Sequence, residues 1–278
     1  SIVRVHRGLY AGKEYWDRLD PHERLRHILR SLSQWHERWA FCGASAAVMH
    51  GLDCSYRQLH PIHVAVGRNS RPRNQRYVRF HVLDDAETVA VDGARVTSIL
   101  RTLVDCAAMM PRRYAMAPID SALRQGKTTV EQMLEYVDAI PMLRDRERIR
   151  AVLAQGDGRV ENGGESECRA VLDELGFPVH RVQVEFPCLS HPGRVHRVDF
   201  LWERDDGTLI AGEFDGVQKY VDPLMTAGRT IRQVVDDERD RQQCLSRRGV
   251  DMVRMFYRDL DNAQVLAYRL EQARVPRR

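Results

Sequence analysis

The spacing of hydrophobic positions divides the chain into two parts. Residues 1–150 mix short strand-like runs with amphipathic helices, and in Ser98–Met109 the apolar residues recur on one face with a helical period. The stretch 151–163 is rich in Gly and polar residues, which favours a linker. After it, the pattern predicts a helix, three strands, a long helix, a strand and a final helix. We therefore expect an α/β (α+β) chain, with a mixed domain at 1–155 and an αβββαβ domain at 156–278.

Most predicted elements of the first part are bounded by turn or cap signals. They are a strand and turn at Val3–Tyr10, helices at Pro21–Trp35, Gly43–His50, Ser98–Met109, Met116–Arg124 and Thr129–Val137, and strands at His63–Val66, Tyr77–Val82 and Arg95–Thr97. Those of the second part are helices at Glu165–Leu175, Thr226–Arg248 and Asn262–Ala273, and strands at Arg181–Phe186, Val195–Trp202, Thr208–Asp215 and Val250–Phe256.

Four acids and a lysine stand out in the second part. They are Glu165 at the start of a helix, Asp199 in a strand, Glu213 and Asp215 in the next strand, and Lys219 just beyond it. Alternate strand residues share a face, so Glu213 and Asp215 point the same way. Antiparallel pairing through the intervening turn brings Asp199 beside Glu213. The helical period turns Glu165 towards the sheet. Any one of these acids by itself is typical of a solvated surface.

Acids that converge repel one another unless a cation joins them. Mg²⁺ (or Mn²⁺) suits such oxygen ligands, and Asp199, Glu213 and Asp215 are the candidate metal ligands. The ion would activate a water and stabilise the leaving oxygen, with Glu165 and Lys219 completing the candidate catalytic set. Because the acids repel without metal, we expect Asp199→Ala and Glu213→Ala to abolish cleavage, keep the fold and raise the melting temperature.

Residues 160–260 resemble a known nuclease-like family. The shared features are GES at the helix start, Gln183, VDF, E-x-D-G followed by K-Y, E-x-x-R at Glu238 and Arg241, and a closing G-x-x-x-x-R. This pattern is similar to the DUF559 family, which is related to very-short-patch repair endonucleases of the PD-(D/E)XK superfamily. The resemblance implies a restriction-endonuclease-like fold, with Asp199 and Glu213 as metal ligands. Asp215 occupies the position where the superfamily has lysine, and Lys219 would replace that lysine.

Arg241 has two interpretations. It lies three residues after Glu238, so the pair can form an ordinary intrahelical contact. It also lies on the inward stripe of the helix, where it would brace a site carboxylate or meet a phosphate. We include Arg241 among the candidate nucleic-acid contacts.

The first part resembles a different family. The matching pieces are VRVHRGLY, ASAAVMHGL, PIHVAV, VTSILRTLVDCA and DSALRQG. They are similar to AbiEi-type antitoxins of type IV toxin–antitoxin systems, in which a winged-helix segment comes first. The resemblance implies that residues 1–12 are a wing remnant. It also implies a cognate toxin or regulatory partner.

Arginines cluster between Gly67 and His81. A segment without acidic residues places Tyr77 and Phe80 among these arginines, which suits a surface that follows phosphates and stacks on bases. A solvated loop beside an exposed strand explains the same pattern. The candidate nucleic-acid contacts here are Arg68, Arg71, Arg73, Arg76 and Arg79.

Composition adds few constraints. The 278 residues carry 43 Lys+Arg and 39 Asp+Glu, so the net charge of +4 only weakly favours a polyanionic partner. Without a long apolar run, a signal peptide or a CxxC pair, we expect a cytoplasmic protein with no membrane span, no zinc ribbon and no disulfide scaffold. Cys244 is expected to be a packed thiol. The chain starts at Ser1 without an initiator Met, and we expect an upstream portion to be missing or processed.

Two functions from different classes follow. The first is a Mg²⁺-dependent endonuclease that hydrolyses phosphodiester bonds in DNA, based on the ordered acids. The second is a non-catalytic DNA-binding regulator or antitoxin that keeps a nuclease fold, based on the first part and on Asp215 at the lysine position. A scaffold that binds a protein partner and no nucleic acid ranks third.

Overall fold

The computed structural model describes residues 1–70, 72–83, 86–189, 191, 193–215 and 231–278, with only the backbone described at 231–238. The chain forms two compact units, Ser1–Gly158 and Arg159–Arg278. Both units contain helices and strands, which confirms the predicted mixed α+β class. Among the described residues, no helix combines the length and apolar content that crossing a membrane requires.

The first unit contains a two-stranded sheet and a five-stranded mixed sheet. The small sheet pairs β1 and β2, and the larger sheet has the order β5-β4-β3-β7-β6. The strands are β1 (Ile2–His6), β2 (Leu9–Gly12), β3 (Ala40–Phe41), β4 (Ile62–Val66), β5 (Val78–Val82), β6 (Thr88–Val91) and β7 (Ala94–Thr97). The helices are α1 (Lys13–Arg18), α2 (Pro21–Trp35), α3 (Gly43–Met49), α4 (Ile99–Met109), α5 (Arg112–Arg124), α6 (Val130–Ala139) and α7 (Arg146–Leu153).

Local sequence signals explain where several of these helices begin. Asp20 accepts a hydrogen bond from the Glu23 N–H while the Glu23 carboxylate accepts one from the Asp20 N–H, so α2 starts with a reciprocal cap. Thr129 and Gln132 form the same arrangement at the start of α6. These caps satisfy N–H groups that the first helical turn leaves without backbone partners.

Helix α7 differs from the sequence prediction. The predicted linker at 151–163 starts inside this helix, which ends only at Leu153. Ile149, Val152 and Leu153 are buried at helical spacing, although charged residues surround them in sequence. Val160, also within the predicted linker, packs in the core of the second unit. Tertiary burial therefore outweighs the Gly-rich composition of this stretch.

The second unit is a four-stranded sheet with helices on both faces. The sheet order is β11-β10-β9-β8, with β10 and β11 parallel and the other neighbours antiparallel. Its elements are α8 (Gly163–Glu174), β8 (Arg181–Pro187), β9 (Val195–Glu203), β10 (Leu209–Asp215), α9 (Ile231–Arg247), β11 (Val250–Phe256) and α10 (Ala263–Gln272). This order confirms the predicted αβββαβ succession. The predicted start of the long helix, residues 226–230, lies outside the described residues.

Each face of this sheet has its own core. Ile210 and Phe214 pack with residues of α8 and α10, whereas Ala211 packs on the other face with Leu245 of α9. Successive β10 residues thus enter opposite cores, as strand alternation predicts. The same alternation places Glu213 and Asp215 on the α9 face of the sheet.

Gly212 shows how tightly β10 is packed. A Cβ atom at this position would lie 2.7 Å from Cζ3 and 2.9 Å from Cη2 of Trp202, a fully buried ring that has little room to move. We expect Gly212→Ala to lower the free energy of unfolding by about 1–3 kcal/mol because it overpacks the core. Chemical denaturation would measure this. Gly67→Ala is the control, since its Cβ meets no described heavy atom within 4 Å, and an equal loss in both variants would contradict the prediction.

Candidate functional site

Glu165 is buried in the first turn of α8. Asn162 caps this helix by accepting a hydrogen bond from the Glu165 N–H at 3.0 Å. The Glu165 carboxylate in turn accepts hydrogen bonds from the Glu161 N–H at 3.0 Å, from Gln183 Nε2 at 2.8 Å, and from the Asn162 amide. Three donors therefore hold a carboxylate that is only 4% exposed.

The environment of Glu165 changes its titration. Burial, followed by the negative charge of Asp199, raises the pKa of Glu165 to about 7, although its hydrogen bonds act in the opposite direction. The structure therefore brings Glu165 and Asp199 close enough for their charges to interact. Loss of a neighbouring negative charge or arrival of a cation would favour ionised Glu165.

Asp199 lies where the β9–β10 ladder ends. Gly212 pairs with Phe200, and one residue further along each strand are Glu213 and Asp199. The Asp199 carboxylate accepts a hydrogen bond from the Phe214 N–H at 2.8 Å. Its side chain thus replaces a backbone acceptor at the position where the two strands separate.

Glu213 and Asp215 are oriented towards arginines. The Glu213 carboxylate forms an ion pair with Arg241 of α9, whose guanidinium also donates to the Arg197 carbonyl. Asp215 lies 4.0 Å from Arg254 of β11. Arg241 therefore contacts a site carboxylate, as the second of its two sequence-based interpretations proposed. Lys219 lies outside the described residues, and so do the side chains of 231–238, including Glu238.

The acids do not gather at one point in the described part of the chain. No three carboxylates there have oxygens within 4.8 Å of one another. The oxygen donors of Asp199, Glu213 and Asp215 fit Mg²⁺ in kind. However, Arg241 already neutralises Glu213 through an ion pair.

Gln183 contacts the buried Glu165, a contact that the spacing of the sequence did not predict. Its backbone is left-handed, with φ 51°, which is uncommon for a residue with a side chain. Its Nε2 donates to Glu165, while its Oε1 is buried without a hydrogen-bond partner among the described residues. Backbone strain and an unsatisfied oxygen beside a buried acid are features that concentrate at functional sites.

The arginine-rich segment, residues 67–81, forms part of the surface of the first unit in its described residues. Arg73, Arg76 and Arg79 are exposed, and the Arg76 guanidinium lies 5.1 Å from the centroid of the Tyr77 ring. Tyr77 is 46% exposed. Arg68 is also exposed and takes part in an interaction, whereas Arg71 lies outside the described residues.

A groove of about 620 Å³ adjoins this segment. Trp39 and Phe80 lie in its wall with ring centroids 5.5 Å apart, and the exposed Arg38 and Arg95 also line it. Its lining therefore combines positive charge with aromatic surface. This combination suits a partner that carries both negative charge and flat rings.

Two histidines lie on the strands next to the groove. His63 Nδ1 and His81 Nε2 are 2.8 Å apart, and the two rings are stacked. Burial, then the charges of His81 and Arg79, lowers the pKa of His63 to about 4. The pair is therefore neutral near pH 7, and the positive surface here comes from arginine.

Comparison with known proteins finds a family match over part of this chain. Residues 39–155 match the family model described as AbiEi antitoxin C-terminal domain. Two proteins described as uncharacterized, from Mycobacterium tuberculosis strains CDC 1551 / Oshkosh and ATCC 25618 / H37Rv, are each 28% identical over 255 residues, covering 86% of this chain and 87% of the relative. The antitoxin resemblance is thus confirmed over residues 39–155. The nuclease resemblance of residues 160–260 stays a prediction.

Proposed function

We propose that this chain is an antitoxin-type regulator of a type IV toxin–antitoxin system, which binds DNA through its first unit. The observation that carries the proposal is the antitoxin family match over residues 39–155. The matched range contains the arginine-rich segment and, apart from Arg38, the lining of the groove beside it. The second unit, in this view, keeps a nuclease-like fold without cleavage, and a cognate toxin is the expected protein partner.

The charges of the arginine-rich segment support nucleic-acid binding. Each arginine can make two parallel hydrogen bonds to a phosphate, which lysine cannot do. Tyr77, with Arg76 over its ring, offers a flat surface on which a base can stack. Binding of this kind depends mainly on phosphate contacts, so it should weaken steeply as salt increases.

Replacing Arg73, Arg76 and Arg79 together by glutamine is expected to weaken binding to the DNA upstream of the chain's own gene. For each arginine that pairs with a phosphate, its replacement should reduce the slope of log affinity against log salt by about 0.9. Fluorescence polarisation without divalent metal would measure both quantities. Arg144→Gln is the control because Arg144 is an exposed arginine outside the segment. Equal affinity and salt slope in the triple variant and the wild type would refute the DNA-binding role.

A second candidate function is a Mg²⁺- or Mn²⁺-dependent DNA endonuclease in the second unit. The observation that favours it is Gln183, whose strained backbone and unsatisfied Oε1 adjoin the buried Glu165. Asp199, Glu213 and Asp215 would hold the metal once Glu213 is released from Arg241, and Lys219 would stabilise the developing charge. The metal would supply an activated water, as in other metal-dependent hydrolases.

Asp199→Asn separates the two functions. If the nuclease candidate is correct, Mg²⁺ or Mn²⁺ should support nicking of plasmid DNA or cleavage of single-stranded, mismatched or branched DNA. Asp199→Asn should abolish that cleavage, while keeping an acceptor for the Phe214 N–H. Asp205→Asn, in an exposed turn, is the matched control and should keep full activity. Absence of cleavage on every substrate, together with metal-independent DNA binding, would leave the regulator as the function.

A further inference from the structure

Two cysteines and a histidine from three elements meet in the second unit. They are Cys188 directly after β8, His196 in β9 and Cys244 in α9. Their ligand atoms all lie within 4.8 Å of one another. Cys244 is distant in sequence from the other two, and the acids of the candidate nuclease site are not among the three. Thiolate and imidazole are typical ligands of zinc, whereas Mg²⁺ and Mn²⁺ prefer oxygen ligands.

His196, one of these three residues, has a ring nitrogen without a hydrogen-bond partner among the described residues. Its side chain is almost completely buried, and Nε2 has no hydrogen-bond partner among the described residues. A buried polar atom left without a partner is unfavourable, and such atoms in native structures often indicate an ion or a water. A metal ion between the three side chains would satisfy this nitrogen.

The sulfur geometry agrees with tetrahedral coordination. The two Sγ atoms are 3.6 Å apart. Zinc–sulfur bonds of about 2.3 Å at a tetrahedral angle place two sulfurs about 3.8 Å apart. The Leu189 N–H also donates a hydrogen bond to Cys244 Sγ at 3.1 Å.

His191 is a candidate fourth ligand next to Cys188. Its Nδ1 lies 3.8 Å from Cys188 Sγ, and the residue is exposed on the hairpin between β8 and β9. The sequence separation is Cys-x-x-His, and rotation of this exposed side chain would complete the coordination. Four protein ligands make a closed site, which is typical of zinc that stabilises a fold.

We propose that Cys188, His191, His196 and Cys244 bind one Zn²⁺ ion. Binding forms two zinc–sulfur and two zinc–nitrogen bonds, and the two thiol protons pass to solvent. The ion joins the β8–β9 hairpin to α9. Since Arg241 precedes Cys244 by one helical turn, zinc also fixes the part of α9 from which Arg241 reaches Glu213.

Metal analysis of the full chain, purified under reducing conditions without added chelator, tests this site. We expect about one zinc per chain in the wild type and loss of that zinc in Cys188→Ser and Cys244→Ser. His191→Ala should bind zinc more weakly. Cys168→Ala is the thiol control and should keep full occupancy, since Cys168 packs against Met255 in a different core.

Metal exchange in the wild-type chain keeps the proposal testable if the cysteine variants do not fold. Removing zinc with a chelator should lower the Tm, and stoichiometric Zn²⁺, but not Mg²⁺, should restore it. Co²⁺ in place of zinc should give sulfur-to-cobalt charge-transfer absorption and the intense visible bands of a tetrahedral site. Absence of zinc together with absence of these bands would overturn the proposal. So would a Cys188–Cys244 disulfide found by mass spectrometry in the reduced preparation, or zinc retained in both serine variants.

Discussion

Glu213→Ala is expected to destabilise the second unit by about 3 kcal/mol, because it removes the carboxylate that pairs with Arg241 in a largely buried position. The side chains of Glu213 and Arg241 are only 11% and 20% exposed. Breaking such a pair leaves a desolvated guanidinium charge without that carboxylate. Chemical denaturation of Glu213→Ala, Arg241→Ala and the double variant would measure the loss and the coupling between the two residues.

The matched control is the exposed pair Arg277–Glu271 of the same unit. Its side chains are 56% and 47% exposed, so Glu271→Ala should cost less than about 1 kcal/mol. If Glu213→Ala costs no more than Glu271→Ala, the ion pair with Arg241 does not stabilise the unit. This expected loss is opposite in direction to the sequence-based prediction that Glu213→Ala raises the melting temperature, because Arg241 pairs with Glu213.

The change in the free energy of unfolding caused by Glu165→Gln is expected to be about 3 kcal/mol more favourable at pH 8 than at pH 4.5. Burial and the charge of Asp199 raise the pKa of Glu165 from 4.5 to about 7 in the folded state. A raised carboxyl pKa means that the folded chain keeps a proton that the unfolded chain has lost. Stability contributed by this group is therefore greatest below about pH 4.5 and falls as the pH rises to about 7, by about 1.4 kcal/mol per unit.

Denaturation of wild type and Glu165→Gln across this pH range, with a chelator present, would measure the difference. Because the rest of the chain titrates alike in both proteins, the difference isolates the carboxyl group. Glu174→Gln is the control, as Glu174 is exposed near the end of the same helix. A stability difference that stays constant from pH 5 to pH 8 would show that Glu165 does not titrate in this environment.

The elements of the second unit were readable from the sequence because local rules determine them. Alternation in β10 follows from strand geometry, and the packing of Ile210 and Ala211 in opposite cores agrees with it. Helix α7 was missed because its apolar residues are few and charges surround them. Its stability comes from the burial of Ile149 and Leu153 rather than from a long periodic pattern.

The candidate sites depended on contacts that no spacing shows. The sequence placed Glu213 near Asp199 and offered Arg241 as a brace for a site carboxylate, but only the structure shows that this carboxylate is Glu213, 28 residues earlier in the chain. Gln183 was a motif residue without an assigned role in the sequence, and the structure adds its left-handed backbone and its contact with Glu165. Cys244 was expected to be a packed thiol, since nothing in the sequence connects it to Cys188, 56 residues earlier.

The sequence by itself determined the mixed α+β class, the order of elements in the second unit and the antitoxin resemblance that the family match supports over residues 39–155. Hydrophobic period, turn residues and motifs act over short distances, so they can be read along the chain. Only the tertiary structure decided which charges neutralise one another and which cysteine and histidine side chains meet. Those contacts join residues distant in sequence, and their energies depend on burial, which exists only after the chain has folded.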